Sequence, residues 1–206
     1  MTELFISAFV TFFVVIDPPG CAPIFASLTS GAPASHRRVM ALRGTLVAAL
    51  ILFLFAVFGE AFLGALGISL DAFRVAGGVM LFLIALEMVF EKRTERRTHR
   101  AEDVKADPEH EDISIFPMAI PMIAGPGSIA SVMLMMAKSQ GMEQSLLVLG
   151  ALALVLLVNL GALLAAGPLM KVLGHRVEAM ITRVLGVVLA ALAAQFVIDG
   201  LRASFA

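Results

Sequence analysis

Charge is what this sequence has least of. Only 15% of its 206 residues are Asp, Glu, Lys or Arg, where a soluble domain carries about a quarter. With 60% of residues apolar and a mean hydropathy of +0.96, a soluble core would lack the polar shell to cover it. Lipid is the expected solvent. Cysteine is nearly absent as well: Cys21 stands alone, which excludes an intramolecular disulfide and a zinc cluster built on thiolates. No Lys or Arg precedes the first apolar run, so the charged n-region of a signal peptide is missing and the run is expected to remain as a membrane helix.

Catalytic inventories are equally thin. There is no His-Glu-x-x-His metal pair and no glycine-rich phosphate loop ending in Lys-Ser/Thr. His36, His99, His110 and His175 fall in loops or at the ends of apolar runs, away from any membrane Ser or Cys. An intramembrane aspartyl protease needs two facing aspartates, and only Asp17 qualifies. Neither an enzyme nor a cofactor or metal is expected. The net charge of −1 comes from charges clustered between apolar runs, which leaves no basic face for nucleic acid.

What remains is apolar and long. Stretches 113–137 and 144–170 carry no charged residue over 25 and 27 positions, and 44–59 adds 16 more. At 1.5 Å per residue, roughly 20 apolar residues span the hydrocarbon core. Six apolar segments result, at about 3–30, 40–63, 72–90, 113–137, 144–168 and 177–200. The predicted fold is all-α, a polytopic membrane helix bundle of six transmembrane helices forming one domain over 1–206. The one long hydrophilic stretch, 91–112, holds six basic and eight acidic residues and reads as a solvated cytoplasmic connector.

Helix breakers interrupt the first and fourth segments. Asp17-Pro18-Pro19-Gly20 and Pro23 break the first; Pro117, Pro121 and Gly125-Pro126-Gly127 break the fourth. Overlaying the halves 1–90 and 113–206 matches Pro19-Gly20 with Pro126-Gly127, and Arg74-Val75-Ala76-Gly77 with Arg183-Val184-Leu185-Gly186. The spacings agree: 54 residues from Gly20 to Arg74, 56 from Gly127 to Arg183. Three spans per half is an odd number, so the two repeats are expected to insert with opposite orientations, a plan common in secondary transporters. Basic residues count twelve on one side against three on the other. The rich side should be cytoplasmic, with both termini outside.

Non-helical backbone at membrane depth survives only where protein or a wet cavity covers it. Pro19, Gly20 and Cys21 at the first break, with Gly125, Pro126, Gly127 and Ser128 at the second, are therefore the expected substrate-binding residues. Gly20 and Gly127 allow close backbone approach, and each restarted helix offers amides and a positive dipole end to a carboxylate. Asp17 has no counterpart in the second half, where Ala124 stands. Proton carrier, substrate ligand and N-cap to the amides of Gly20 and Cys21 all stay open for it. Glu87, Asn159 and Gln195 are secondary pathway candidates. Arg74 and Arg183 read as interface anchors, with pairing to Asp71 or Glu178 as the alternative.

At these residues a family resemblance emerges. Asp17-Pro18-Pro19-Gly20-Cys21-Ala22-Pro23-Ile24-Phe25 resembles one signature of the MarC family, and the stretch from Pro117 through Pro121 to Gly125-Pro126-Gly127-Ser128-Ile129 is similar to its second. The likeness extends over the chain to Gln195 and Asp199-Gly200. Cys21 departs from it, since the family typically has Asn there, and the central linker is longer and more charged. The resemblance implies a bacterial inner-membrane protein related to SnatA-type carriers of glycine and alanine. The resulting expectation is a proton-linked secondary transporter of small neutral amino acids, with the bilayer and a small-molecule substrate as partners and a homo-oligomer left open. A small-solute channel and a non-transporting structural protein are the rivals. Asp17→Asn is expected to abolish coupled transport and leave folding intact.

Overall fold

The computed structural model describes residues 1–106 and 112–205. Residues 107–111 of the hydrophilic stretch, including His110, lie outside the described residues. Every regular element among the described residues is helical: α1 (Thr2–Ile16), α2 (Pro18–Leu28), α3 (Ala34–Ala65), α4 (Leu70–Val89), α5 (Lys92–Ala106), an irregular segment Ser114–Ile123, α6 (Pro126–Lys138), α7 (Gly141–Leu164) and α8 (Ala166–Ser204). Five spans are long and apolar enough to cross a bilayer, with α1 and α2 counted together, and the bent pair of the irregular segment and α6 makes a sixth. They coincide with the six apolar segments of the sequence.

Both breaks follow from proline chemistry. Pro18 and Pro19 have no N–H to continue α1, so the chain turns at Asp17 through a left-handed conformation, φ 61° and ψ 65°. Aspartate tolerates this region better than most residues because its short side chain bonds locally. The Asp17 amide closes α1 on the Phe13 carbonyl at 2.9 Å. Thr2–Leu28 still runs as one span of 27 residues. The second break is sharper. Phe116 and Ile120 adopt extended dihedrals, each before a cis proline. The turns around them are wide, closed by Met118 N–H to Ile113 O and Ala124 N–H to Ala119 O. The chain then bends by 52° into α6.

The two broken spans are the most enclosed, the second being buried over most of its length; the first has 56% of its most apolar stretch buried against 28% for α3, α4 and α8. The first forms the axis of the bundle: α1 lies mainly against α7, and α2 lies between α7 and α8. α3, at 32 residues, is about 48 Å long at 1.5 Å per residue. It therefore overshoots a roughly 30 Å hydrocarbon core and carries Arg37, Arg38 and Arg43 beyond it. Its Leu46, Leu50, Leu54, Val57 and Phe58 face outward, as a lipid-facing helix requires. The most extensive pairing joins α4 to α8 through a glycine seam. Gly78 abuts Ala193 and Val197, Gly186 abuts Met88 and Ala85, and Gly200 abuts Val75 and Asp71. Small residues let membrane helices approach this closely.

The hydrophilic stretch corrects the sequence reading. Residues 92–106 are helical, and Arg93, Arg97 and Ala101 are 8%, 7% and 2% exposed. Their spacing of four puts them on one face, which packs on α2, α4 and the irregular segment. One face of α5 lies inside the bundle.

Candidate functional site

A helix interrupted by proline leaves carbonyls four residues upstream without a donor, and buried carbonyls need one. Val15 lies four residues before Pro19, and Met122 four before Pro126. Both carbonyls are met by arginines of α5. Arg93 Nη2 donates to Val15 O at 2.6 Å, and Arg97 Nη2 donates to Met122 O at 3.4 Å. One helix thus supplies the donors that two separate breaks lack. Ile16 O is taken by the Cys21 thiol at 3.4 Å.

Asp17 sits at the centre, 1% exposed. Its Oδ1 accepts from the Gly20 amide at 3.1 Å, so it does cap α2. The Cys21 amide goes instead to the Asp17 backbone oxygen at 3.0 Å. Oδ2 pairs with Arg97 Nη1 at 3.1 Å, with both side chains buried. A buried charge pair of this kind is costly to desolvate and costlier to break. Arg93 also contacts Met88 Sδ at 3.1 Å. Burial, then the neighbouring Arg97, pulls the Arg93 guanidinium down to about 10, so it stays charged at neutral pH.

Beside this pair opens a cavity of about 250 Å³. Arg93, Arg96, Arg97 and Arg100 line it from α5; Pro121, Met122 and Gly125 through Ser128 line it from the second break, with Val15 and Ile84 completing the wall. α6 begins there without a side-chain cap. Ser128 is buried in the lining, and the Ser131 hydroxyl turns back to Ser128 O at 2.9 Å.

The sequence candidates divide accordingly. Gly125, Pro126, Gly127 and Ser128 line the cavity; Asp17, Pro19, Gly20 and Cys21 form the adjoining break. The two glycines serve packing. A Cβ on Gly20 would collide with the Asp17 carboxylate, and one on Gly127 with Ile84. Glu87 reaches the site indirectly, holding Arg96 in a fork at 2.8 and 2.6 Å. Asn159 is fully buried in α7 outside the cavity lining, and neither amide atom has a hydrogen-bond partner among the described residues. Gln195 is not brought to the cavity. It is exposed on α8 and donates to Asp199 at 2.6 Å, on the carboxylate that also holds Lys138 at 3.1 Å. Arg74 pairs with Asp71 at 2.9 Å and Arg183 with Glu91 at 2.6 Å. The residues missed were Arg93, Arg97, Arg96 and Arg100. The signal for the first two was present: two prolines that strand carbonyls, and cations spaced by four in the only long polar stretch.

Comparison with known proteins agrees with the architecture. The model of the MarC family of integral membrane proteins matches residues 2–205. A UPF0056 membrane protein of Methanocaldococcus jannaschii is 38% identical over 200 residues, covering 97% of each chain. The UPF0056 membrane protein YvbG of Bacillus subtilis is 32% identical over 205 residues, covering 100% of this chain and 97% of its own. YhcE of Escherichia coli, named likewise, is 32% identical over 197 residues, covering 96% and 91%. No solved structure matches the chain. The chain belongs to the MarC family and is a multi-pass membrane protein.

Proposed function

We propose that this MarC family protein is a secondary transporter of small neutral amino acids such as glycine and alanine, working in a bacterial inner membrane with both termini outside. One observation carries the reading: a small polar cavity lies where two broken membrane helices meet. Transporter sites are commonly built this way, with half-helix ends aimed at the charged groups of the substrate. At about 250 Å³ the space falls below the roughly 300–1,000 Å³ typical of drug-sized ligands, which suits a solute with little or no side chain. The matched Pro-Gly and Arg…Gly spacings of the two halves support an inverted repeat around this point.

In this scheme the amides of Gly127 and Ser128 take the substrate carboxylate at the start of α6. Asp17 takes the ammonium in exchange for Arg97, whose guanidinium holds that place in the present conformation. Protonation of Asp17 once the substrate leaves would link flux to a pH gradient.

The test is flux of labelled glycine and alanine into proteoliposomes of the purified protein, with and without an imposed pH gradient. Saturable uptake that responds to the gradient and supports counterflow is expected. Flux no greater than in empty liposomes, with folding verified, would remove the transport reading.

A further inference from the structure

The cavity carries more positive charge than a zwitterion would balance. Four guanidiniums line it, and among the described residues no carboxylate does. Asp17 neutralises Arg97, and Glu87 neutralises Arg96. The partners of Arg93 are a carbonyl and a thioether, both uncharged. Arg100 has no ion-pair or hydrogen-bond partner among the described residues. A third carboxylate, Glu178, is buried on α8 within electrostatic range of Asp17 and Arg97 and bonded to Thr182 at 3.4 Å. Glu95 and Asp103 lie beside Arg96 and Arg100 in a neighbouring groove, so among the described residues the carboxylates stand around the cavity and the guanidiniums line it.

The opposite wall adds donors. α6 is 13 residues long and starts at Pro126 without a side-chain cap, and its leading residues Gly127 and Ser128 line the same cavity as the arginines. Unsatisfied amides at a helix start favour an anion. Guanidinium forks bind tetrahedral oxyanions in bidentate fashion. A planar carboxylate serves one wall; a group with three or four acceptor oxygens serves both.

From this we infer that the space between Arg100, Arg96 and the start of α6 is an oxyanion subsite that takes a phosphate group. The inference rests on the same cavity and the same two α6 amides as the transport reading but not on its substrate, so phosphate and an amino-acid carboxylate compete there. The group can arrive as free inorganic phosphate or on the headgroup of an anionic lipid.

The experiment uses the full chain, delipidated in nonionic detergent. Inorganic phosphate is titrated at constant ionic strength against chloride while the thermal unfolding midpoint is followed. Phosphate is expected to raise the midpoint and chloride to leave it unchanged. Arg100→Gln should weaken the apparent phosphate affinity by about ten-fold or more, as loss of a charge-assisted hydrogen bond implies, without altering the midpoint in the absence of phosphate. Nanodiscs of phosphatidylcholine with and without phosphatidylglycerol separate the two sources. If phosphatidylglycerol abolishes the response to added phosphate, the headgroup is the ligand; if the response persists, the free ion is. Equal stabilisation of wild type and Arg100→Gln, or no response to phosphate or phosphatidylglycerol beyond chloride, overturns the subsite. Phosphate binding without amino-acid flux would leave the subsite standing and remove the transport reading, and flux without phosphate binding would do the reverse.

Discussion

At Asp17 a single side chain closes three local requirements: it caps α2 through Gly20, balances Arg97, and accepts the left-handed turn that two prolines impose. The ion pair changes what its removal should do. Asp17→Asn keeps a capping group but strands a buried guanidinium, and breaking one side of a buried pair costs about 3–5 kcal/mol. Asp17→Asn and Arg97→Gln are each expected to lose about that much in reversible unfolding. The double variant, with no stranded charge, should lose clearly less than the sum, which a double-mutant cycle measures. Additive losses would mean that the pair contributes nothing as a pair. Asn159 makes the opposite case. Its amide is fully buried and has no partner among the described residues, and an unsatisfied buried polar group costs about 1–3 kcal/mol. Asn159→Leu should therefore unfold at a higher midpoint with flux unchanged. A loss of flux with normal folding would instead put Asn159 on the solute path.

Between elements, the α4–α8 seam depends on atoms that are missing. The space a Cβ on Gly186 would need is held by Met88 and the Ala85 carbonyl, the latter at 3.1 Å, and backbone cannot swing aside as a flexible side-chain end can. Gly186→Val is expected to destabilise the bundle by about 1–3 kcal/mol, the range for overpacking, read as a lower unfolding midpoint. Gly161, open on its α7 face, should accept the same change with little effect. The spans themselves were legible in the sequence because long charge-free runs have one physical explanation, and the breaks were legible because proline removes a donor wherever it stands. α5 was not. A charged stretch reads as solvated when only hydrophobic periodicity is counted, and α5 reverses that pattern by burying two arginines beside Ala101. Counting stranded carbonyls at Val15 and Met122 would have demanded donors, though not said which segment supplies them. The placement of Gln195 was hidden for a related reason: it lies on the long α8, where periodicity does not reveal that it faces outward to Asp199.

For the molecule as a whole, Cys21 offers a native reporter, being the one cysteine and fully buried between the first break and α5. Maleimide labelling of the wild type should be slow. Ala101→Glu, which places a charge on the buried face of α5, should accelerate labelling several-fold if α5 is what shields the break; an unchanged rate would show that other helices shield it. A last consequence follows from the spacing of Arg93 and Arg97. Four residues of helix rise about 6 Å, and these two side chains grip one carbonyl from each broken span. α5 is in effect a ruler laid across the gap. While both grips hold, the two half-helices cannot travel apart by more than the slack of two arginine side chains. Any larger separation of the two must first release one end, so their spacing is limited by a segment that crosses no membrane.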